Sequence, residues 1–188
     1  MVADILTRPT TRRRRGRLVV ALVGVAVAAL VAAITVSAYV FPATAALPAR
    51  ADVIYVIGPP TEGRIALAEQ LRSDGVADEI LISVPSEGEQ SAAKLSACQE
   101  AWVTCGHPEP FTTAGEMALL NSLYGADARA VVITFTPHVS RTRFIAWQCA
   151  AAEVTVIDVP TSIAFGQWVY QFAYQTGGFA KALAFPCS

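Results

Sequence analysis

Three short segments carry residues whose types and spacing suit chemistry. The richest is Thr134-Phe135-Thr136-Pro137-His138-Val139-Ser140-Arg141. A β-rich run ends there and Pro137 opens a helix, so His138 and Arg141, three positions apart, share one helical face. A histidine in a first helical turn feels the positive end of the dipole. Its pKa falls, and the neutral ring can accept a proton or ligate a metal while Arg141 holds a carboxylate or phosphate. The plainer reading is a locally capped histidine beside a surface arginine. The second segment, Thr112-Thr113-Ala114-Gly115-Glu116, places Thr113 and Glu116 at the T-x-x-E spacing of a capping box. Capping would explain both residues, and a helix N-terminus in a crevice can also bind a ligand. The third, Gly58-Pro59-Pro60-Thr61-Glu62-Gly63-Arg64, is a tight turn into a helix whose first amides can receive an anion, supplemented by Arg64. It is neither G-x-G-x-x-G nor a Walker loop, and two prolines remove amide donors, so a solvated Arg64 on a plain turn competes with that role.

Other features carry less. Arg143 lies on a different face of the helix from His138, and His107, in Gly106-His107-Pro108, reads as an exposed loop residue. Ser91-Ala92-Ala93-Lys94 fits S-x-x-K, but the partner motifs K-T-G and S-D-N are absent, as are G-x-S-x-G and H-E-x-x-H. No metal site is expected.

The elements that must position these residues alternate. Strands are expected at 53–57, 79–84, 102–105, 130–135 and 154–158, and helices at 64–73, 90–101, 113–124 and 138–151. Strands apolar on both faces, alternating with helices, imply a Rossmann-like three-layer α/β domain with a mainly parallel sheet of about five strands. Ligands in such folds bind beyond the carboxyl ends of the strands, where all three segments fall. Residues 160–184 read as partly helical, with Phe165, Trp168, Tyr170, Phe172 and Tyr174 as core or membrane-proximal packing more than ligand stacking.

The remainder of the chain sets the address. Of 188 residues, 54% are hydrophobic and 15% charged, with mean hydropathy +0.46, unusually apolar for a wholly soluble domain. Leu18 to Val40 carries no charge and would span roughly 34 Å as a helix against about 30 Å of hydrocarbon. Residues 1–17 hold six arginines and carry +5, whereas the remainder carries −6. The positive-inside rule keeps such a tail in the cytoplasm, with Tyr39 and Phe41 as aromatic anchors on the far side. The alternative is a cleaved signal peptide, for which Ala43-Thr44-Ala45 and Ala49-Arg50-Ala51 offer sites. Gly24, Ala28 and Ala32 fall on one face but carry little weight in so alanine-rich a segment. The expected organisation is therefore a basic cytoplasmic tail (1–17), a transmembrane helix (18–40), a linker (41–50) and one α/β domain (51–188). An acidic domain argues against nucleic acid as partner.

Cys98, Cys105, Cys149 and Cys187 all fall on the exported side, where disulfides are the default, and no C-x-x-C is present. Three pairings are possible. Cys98 with Cys105 and Cys149 with Cys187 are favoured, the first tying a helix end to the next strand and the second fastening the C-terminal tail.

The order of these pieces resembles the YdcF-like family, which includes SanA and ElyC, over about residues 52–160. ADVIYVIG with Arg64 and Ala68, Gly75-Val76-Ala77-Asp78 leading into EILISV, TTAGEMA, and above all TFTPHVSRTR carry the resemblance. It implies a small α/β domain held to the bacterial cytoplasmic membrane by one N-terminal helix and acting in cell-envelope integrity, including peptidoglycan precursor or lipid-carrier metabolism. It carries over Arg64, Thr113 and Arg141 as ligand-binding residues and His138 and Glu116 as catalytic ones. The chain departs from the family at Gly58-Pro59-Pro60 and Ser83-Val84-Pro85, where glycines are usual, and at Glu116, often Asn. Binding, with or without transformation, of an anionic envelope metabolite such as a phosphorylated lipid carrier is the leading expectation. A non-catalytic scaffold and an S-adenosylmethionine- or nucleotide-binding protein are the alternatives, the methyl donor being unexpected outside the cytoplasm. No cofactor or oligomeric state follows from the sequence.

Overall fold

The computed structural model describes residues 10–43 and 45–187; Arg8 of the basic tail and Thr44 of the first A-x-A site lie outside them. The chain divides into two compact units, residues 1–37 and 38–188.

The first unit consists of most of helix α1 (Thr10–Tyr39). Arg14–Tyr39 is long and apolar enough to cross a membrane. Side chains from 14 to 34 are all exposed. The Thr35 hydroxyl donates to Val31 O at 2.9 Å and Ser37 to Ala33 O at 2.9 Å, so these two hydroxyl groups are satisfied within the helix.

The second unit is the expected α/β domain. Strands β1 (Val53–Val56), β2 (Ile80–Ser83), β3 (Val103–Gly106), β4 (Arg129–Phe135) and β5 (Glu153–Val159) form one sheet in the order β3-β2-β1-β4-β5. Every pairing is parallel. β1 is buried along its whole length because alternate side chains enter cores on opposite faces. Ile54 and Val56 pack with Ala68 and Leu71 of helix α2 (Glu62–Ser73). Val53 and Tyr55 pack with Met117 and Leu120 of α3 (Thr113–Tyr124), with Ile145 of α4 (Val139–Cys149) and with Ala182 of α5 (Phe165–Ala184).

The helix expected over 90–101 is not formed; turns and one 3-10 segment, Ser96–Gln99, take its place. Cys98 is bonded to Cys105 inside β3, with Cα atoms 5.7 Å apart. A helix continuing to Ala101 would leave no residues in which to turn back toward that strand. The second disulfide joins Cys149, the last residue of α4, to Cys187 beyond α5. Both are the pairings favoured above.

Of the two packing roles expected for the α5 aromatics, core and membrane-proximal, the structure excludes the first for three of them. Phe165, Tyr170 and Tyr174 are exposed, so they are not core. The helix buries only Gln175 and Ala182 against the domain.

Candidate functional site

In a sheet ordered 3-2-1-4-5 the order in which strands are added reverses between the parallel β1 and β4, and the crevice beyond their carboxyl ends is the natural ligand position. A cavity of about 300 Å³ opens there. Thr113, Glu116, His138 and Arg141, four of the five expected site residues, line it together.

Each is placed by local chemistry. The N-cap of α3 is Thr112, whose Oγ1 accepts the Gly115 N–H at 3.2 Å. The capping box expected from Thr113 and Glu116 is therefore absent, since the cap sits one residue earlier. That shift frees both side chains. Thr113 Oγ1 lies 3.4 Å from His138 Nε2, and Glu116 Oε1 accepts the Gly58 N–H at 2.6 Å. A Cβ on Gly115 would lie 1.9 Å from Pro110 O, so glycine is what lets the 107–112 loop close over the start of α3.

His138 ends a 3-10 turn, Thr136–His138, and is the N-cap of α4, one step before the helical turn expected for it. Its ring is buried, and besides Thr113 it meets two closer partners. Arg141 Nη2 lies 2.7 Å from Nε2, and Thr134 Oγ1 lies 3.0 Å from Nδ1. A guanidinium can only donate, so Nε2 is the acceptor, and Nδ1 carries the proton and donates to Thr134. The pKa is held well below the ordinary histidine value, by burial first and then by the Arg141 and Arg64 charges. Burial and the two arginine charges thus favour the neutral ring that was expected. Its one lone pair accepts from Arg141.

Glu116 is 4% exposed, and burial raises its pKa from 4.5 to about 7 against the opposing Gly58 N–H, Ser83 hydroxyl, Arg64 and Arg141. Behind it, burial pushes the Tyr55 phenol up, and the nearby carboxylate adds to the shift. Tyr55 Oη and Ser83 Oγ have no hydrogen bond of good geometry, although Ser83 lies close enough to favour the charged forms of both acids.

Arg64 is the residue not brought into the cavity. Its Nη1 donates to Ile57 O at 3.1 Å and Pro59 O at 2.8 Å, and its guanidinium lies 5.2 Å from the centre of the Phe135 ring. It ties down the turn after β1 and acts on the site through its charge. His107 is exposed, as expected, but is anchored by Nδ1 to Val84 O at 2.9 Å and stacks on Phe111, which lines the cavity. Arg143 points elsewhere and donates to Ala43 O.

The far wall comes from α5 and was not anticipated. Tyr174, Gly178, Lys181 and Ala182 line it, together with Gln148 of α4. Tyr174 lies under the Arg141 guanidinium at 4.9 Å, a ligand-side role the aromatic cluster was not expected to have. Two sequence signals pointed here. Lys181 is the only charged residue of α5, and Gly177-Gly178 interrupts an otherwise ordinary helix. A Cβ at Gly178 would lie 2.1 Å from Arg141 Nη1, so the gap in that helix is filled by the arginine.

Arg141 is the centre of the arrangement. It is 8% exposed, its Nε has no hydrogen-bond partner, and Gln148 Oε1 on the same cavity has none either. The only ion pair among the described residues is Arg50 with Asp78, so no carboxylate is in ion-pair contact with this buried cation, and Glu116 on the same cavity feels its charge only at longer range. No group of metal-ligating side chains occurs among the described residues. No family model, curated protein or solved structure matches the chain.

Proposed function

We propose that this chain is a single-pass membrane protein whose α/β domain lies outside the bacterial cytoplasm and binds an anionic envelope metabolite, a phosphate-bearing lipid carrier or a nucleotide-like compound, in the cavity beyond β1 and β4. The observation that carries the reading is the buried Arg141, which has no carboxylate in ion-pair contact. A buried guanidinium is costly without a counter-charge, and its free Nε, with Lys181 across the cavity, supplies donors for one. The TFTPHVSRTR block, which resembles that of YdcF-like envelope proteins, supports the same ligand class and a role in peptidoglycan or lipid-carrier biogenesis.

The roles of the two expected catalytic residues separate. His138 is a positioning residue that fixes the Arg141 fork through Nε2. Glu116, poised near neutral pH on the cavity wall, is the group able to give or take a proton at a bound ligand.

Binding of pyrophosphate and of a short-chain polyprenyl phosphate to the full chain in nanodiscs tests the reading by calorimetry. Arg141→Ala should weaken both by about thirtyfold, the equivalent of roughly 2 kcal/mol for a charge-assisted contact. Equal binding by wild type and variant would reject it. For the topology, the +5 tail and the two disulfides support an outside domain. Alkaline phosphatase fused after Ser188 should be active, and activity only of a cytosolic reporter would reverse the orientation.

A further inference from the structure

The free face of α5 is apolar from end to end. Phe165, Val169, Tyr170, Leu183 and the following Phe185 are exposed, Phe165 by 86%. Between them lie Ala173, Gly177, Ala180 and Ala184, and the Thr176 hydroxyl in this arc is satisfied by donating to Phe172 O at 2.7 Å. Trp147 on the adjacent α4 is 79% exposed and continues the patch, stacking on Phe144, which packs against Phe179. A face this large and dry is not left to water.

The position of Tyr39 says what covers it. Tyr39 is the last residue of the helix able to cross a membrane, and it is buried on the middle of α5. Its ring meets Phe172 at 5.5 Å and Phe179 at 6.3 Å, and its hydroxyl lies 3.1 Å from Thr176 Oγ1. The Ser140 hydroxyl donates to Ala38 O at 2.7 Å, which brings the start of α4 to the same point. A chain that leaves the bilayer at Tyr39 therefore places α5 and Trp147 at the headgroup boundary. We infer that α5 is an interfacial helix, its Phe165, Val169, Tyr170 and Leu183 face seated in the outer leaflet with Trp147 beside it. An amphipathic helix with aromatic and aliphatic residues on one face and a lysine at its margin has the composition for that location. Because the other side of α5 walls the cavity, the domain is held with its ligand site against the headgroup layer. The inference requires membrane anchoring through α1 and is independent of what the cavity binds.

The native tryptophans report it. In three full-length variants retaining only Trp102, Trp147 or Trp168, the others replaced by phenylalanine, the chain is reconstituted into phosphatidylcholine and phosphatidylglycerol bilayers brominated near the headgroup end of the acyl chains. Trp147 and Trp168 should lose emission by roughly twofold or more relative to unbrominated lipid, as residues at the interface do. Trp102, under Arg72 on the opposite face of the sheet, should be unchanged. Val169→Glu should reduce Trp168 quenching without altering thermal unfolding, because Val169 already lies outside the protein core. Unquenched Trp147 and Trp168 would overturn the inference, as would cross-links between the α5 faces of two copies, which would make a second chain the occupant.

Discussion

Replacing Glu116 with glutamine should change how stability depends on pH. The carboxyl is buried and accepts the Gly58 N–H, and burial lifts its pKa from 4.5 to about 7. At pH below 4.5 it is protonated in both folded and unfolded chains, and its titration contributes nothing. Between 4.5 and 7 the unfolded chain releases this proton while the folded one keeps it, so unfolding is progressively favoured. A shift from 4.5 to 7 corresponds to about 3 kcal/mol lost over that window, constant above it. His138 acts in the opposite sense, since its lowered pKa removes stability as pH falls below its ordinary 6.5, so the wild-type profile alone would partly conceal Glu116. The difference between Glu116→Gln and wild type isolates it, because His138 is common to both. Urea unfolding of the detergent-solubilised full chain between pH 4 and 8 should show the variant gaining about 3 kcal/mol on wild type as pH rises. The amide oxygen still accepts from Gly58, so the fold is retained. A difference that stays flat with pH would mean that the carboxyl titrates normally, and would remove it as a proton donor at neutral pH.

Two further variants probe the cavity walls. Gly178→Ala places a methyl 2.1 Å from Arg141 Nη1 and 2.7 Å from its Cδ, so the arginine must leave His138; pyrophosphate binding should weaken about tenfold, and unchanged binding in calorimetry would show that the His138–Arg141 contact does not matter for the ligand. Cys149→Ser with Cys187→Ser opens a loop of 38 residues, which on chain-entropy grounds contributes about 4 kcal/mol and should lower the melting temperature by roughly 10 °C; an unaltered melt in non-reducing buffer would refute the role of this bridge.

Most of the domain is legible in the sequence because its strands are short runs of Val and Ile bounded by turn residues. VIYV, ILIS and RAVVITF can only be buried strands, and the helices between them follow from their period. The segment 90–101 is the exception. Its apolar spacing suits a helix, but a covalent constraint from Cys98 to Cys105 decides the local path, and pattern alone does not weigh that. At the site, His138 and Arg141 are legible as a pair because three residues on one helix guarantee proximity. Glu116 is legible only as a residue type, since T-x-x-E offers a cap, and the actual cap at Thr112 releases it toward Gly58.

The wall contributed by α5 shows why the remainder could not be read in advance. Lys181 lies forty residues beyond Arg141 in the chain, and Tyr174, Gly178 and Lys181 reach one cavity only because α5 folds back over α4, with its end fixed by Cys187. Apart from Lys181 and the Gly177-Gly178 pair, the local pattern of FGQWVYQFAYQTGGFAKALA does not distinguish its cavity side from its free side, since both carry aromatics. Two long-range contacts break that symmetry. Arg141 fills the space over Gly178 on one side, and Tyr39 lies on Phe172 and Thr176 on another. The same helix thus meets the buried cation and the end of the apolar α1, so the proposed seating of α5 in the outer leaflet would set the cavity beside the bilayer. A ligand that carries its own anion on a lipid would meet both at once, whereas a free anion would use only the first.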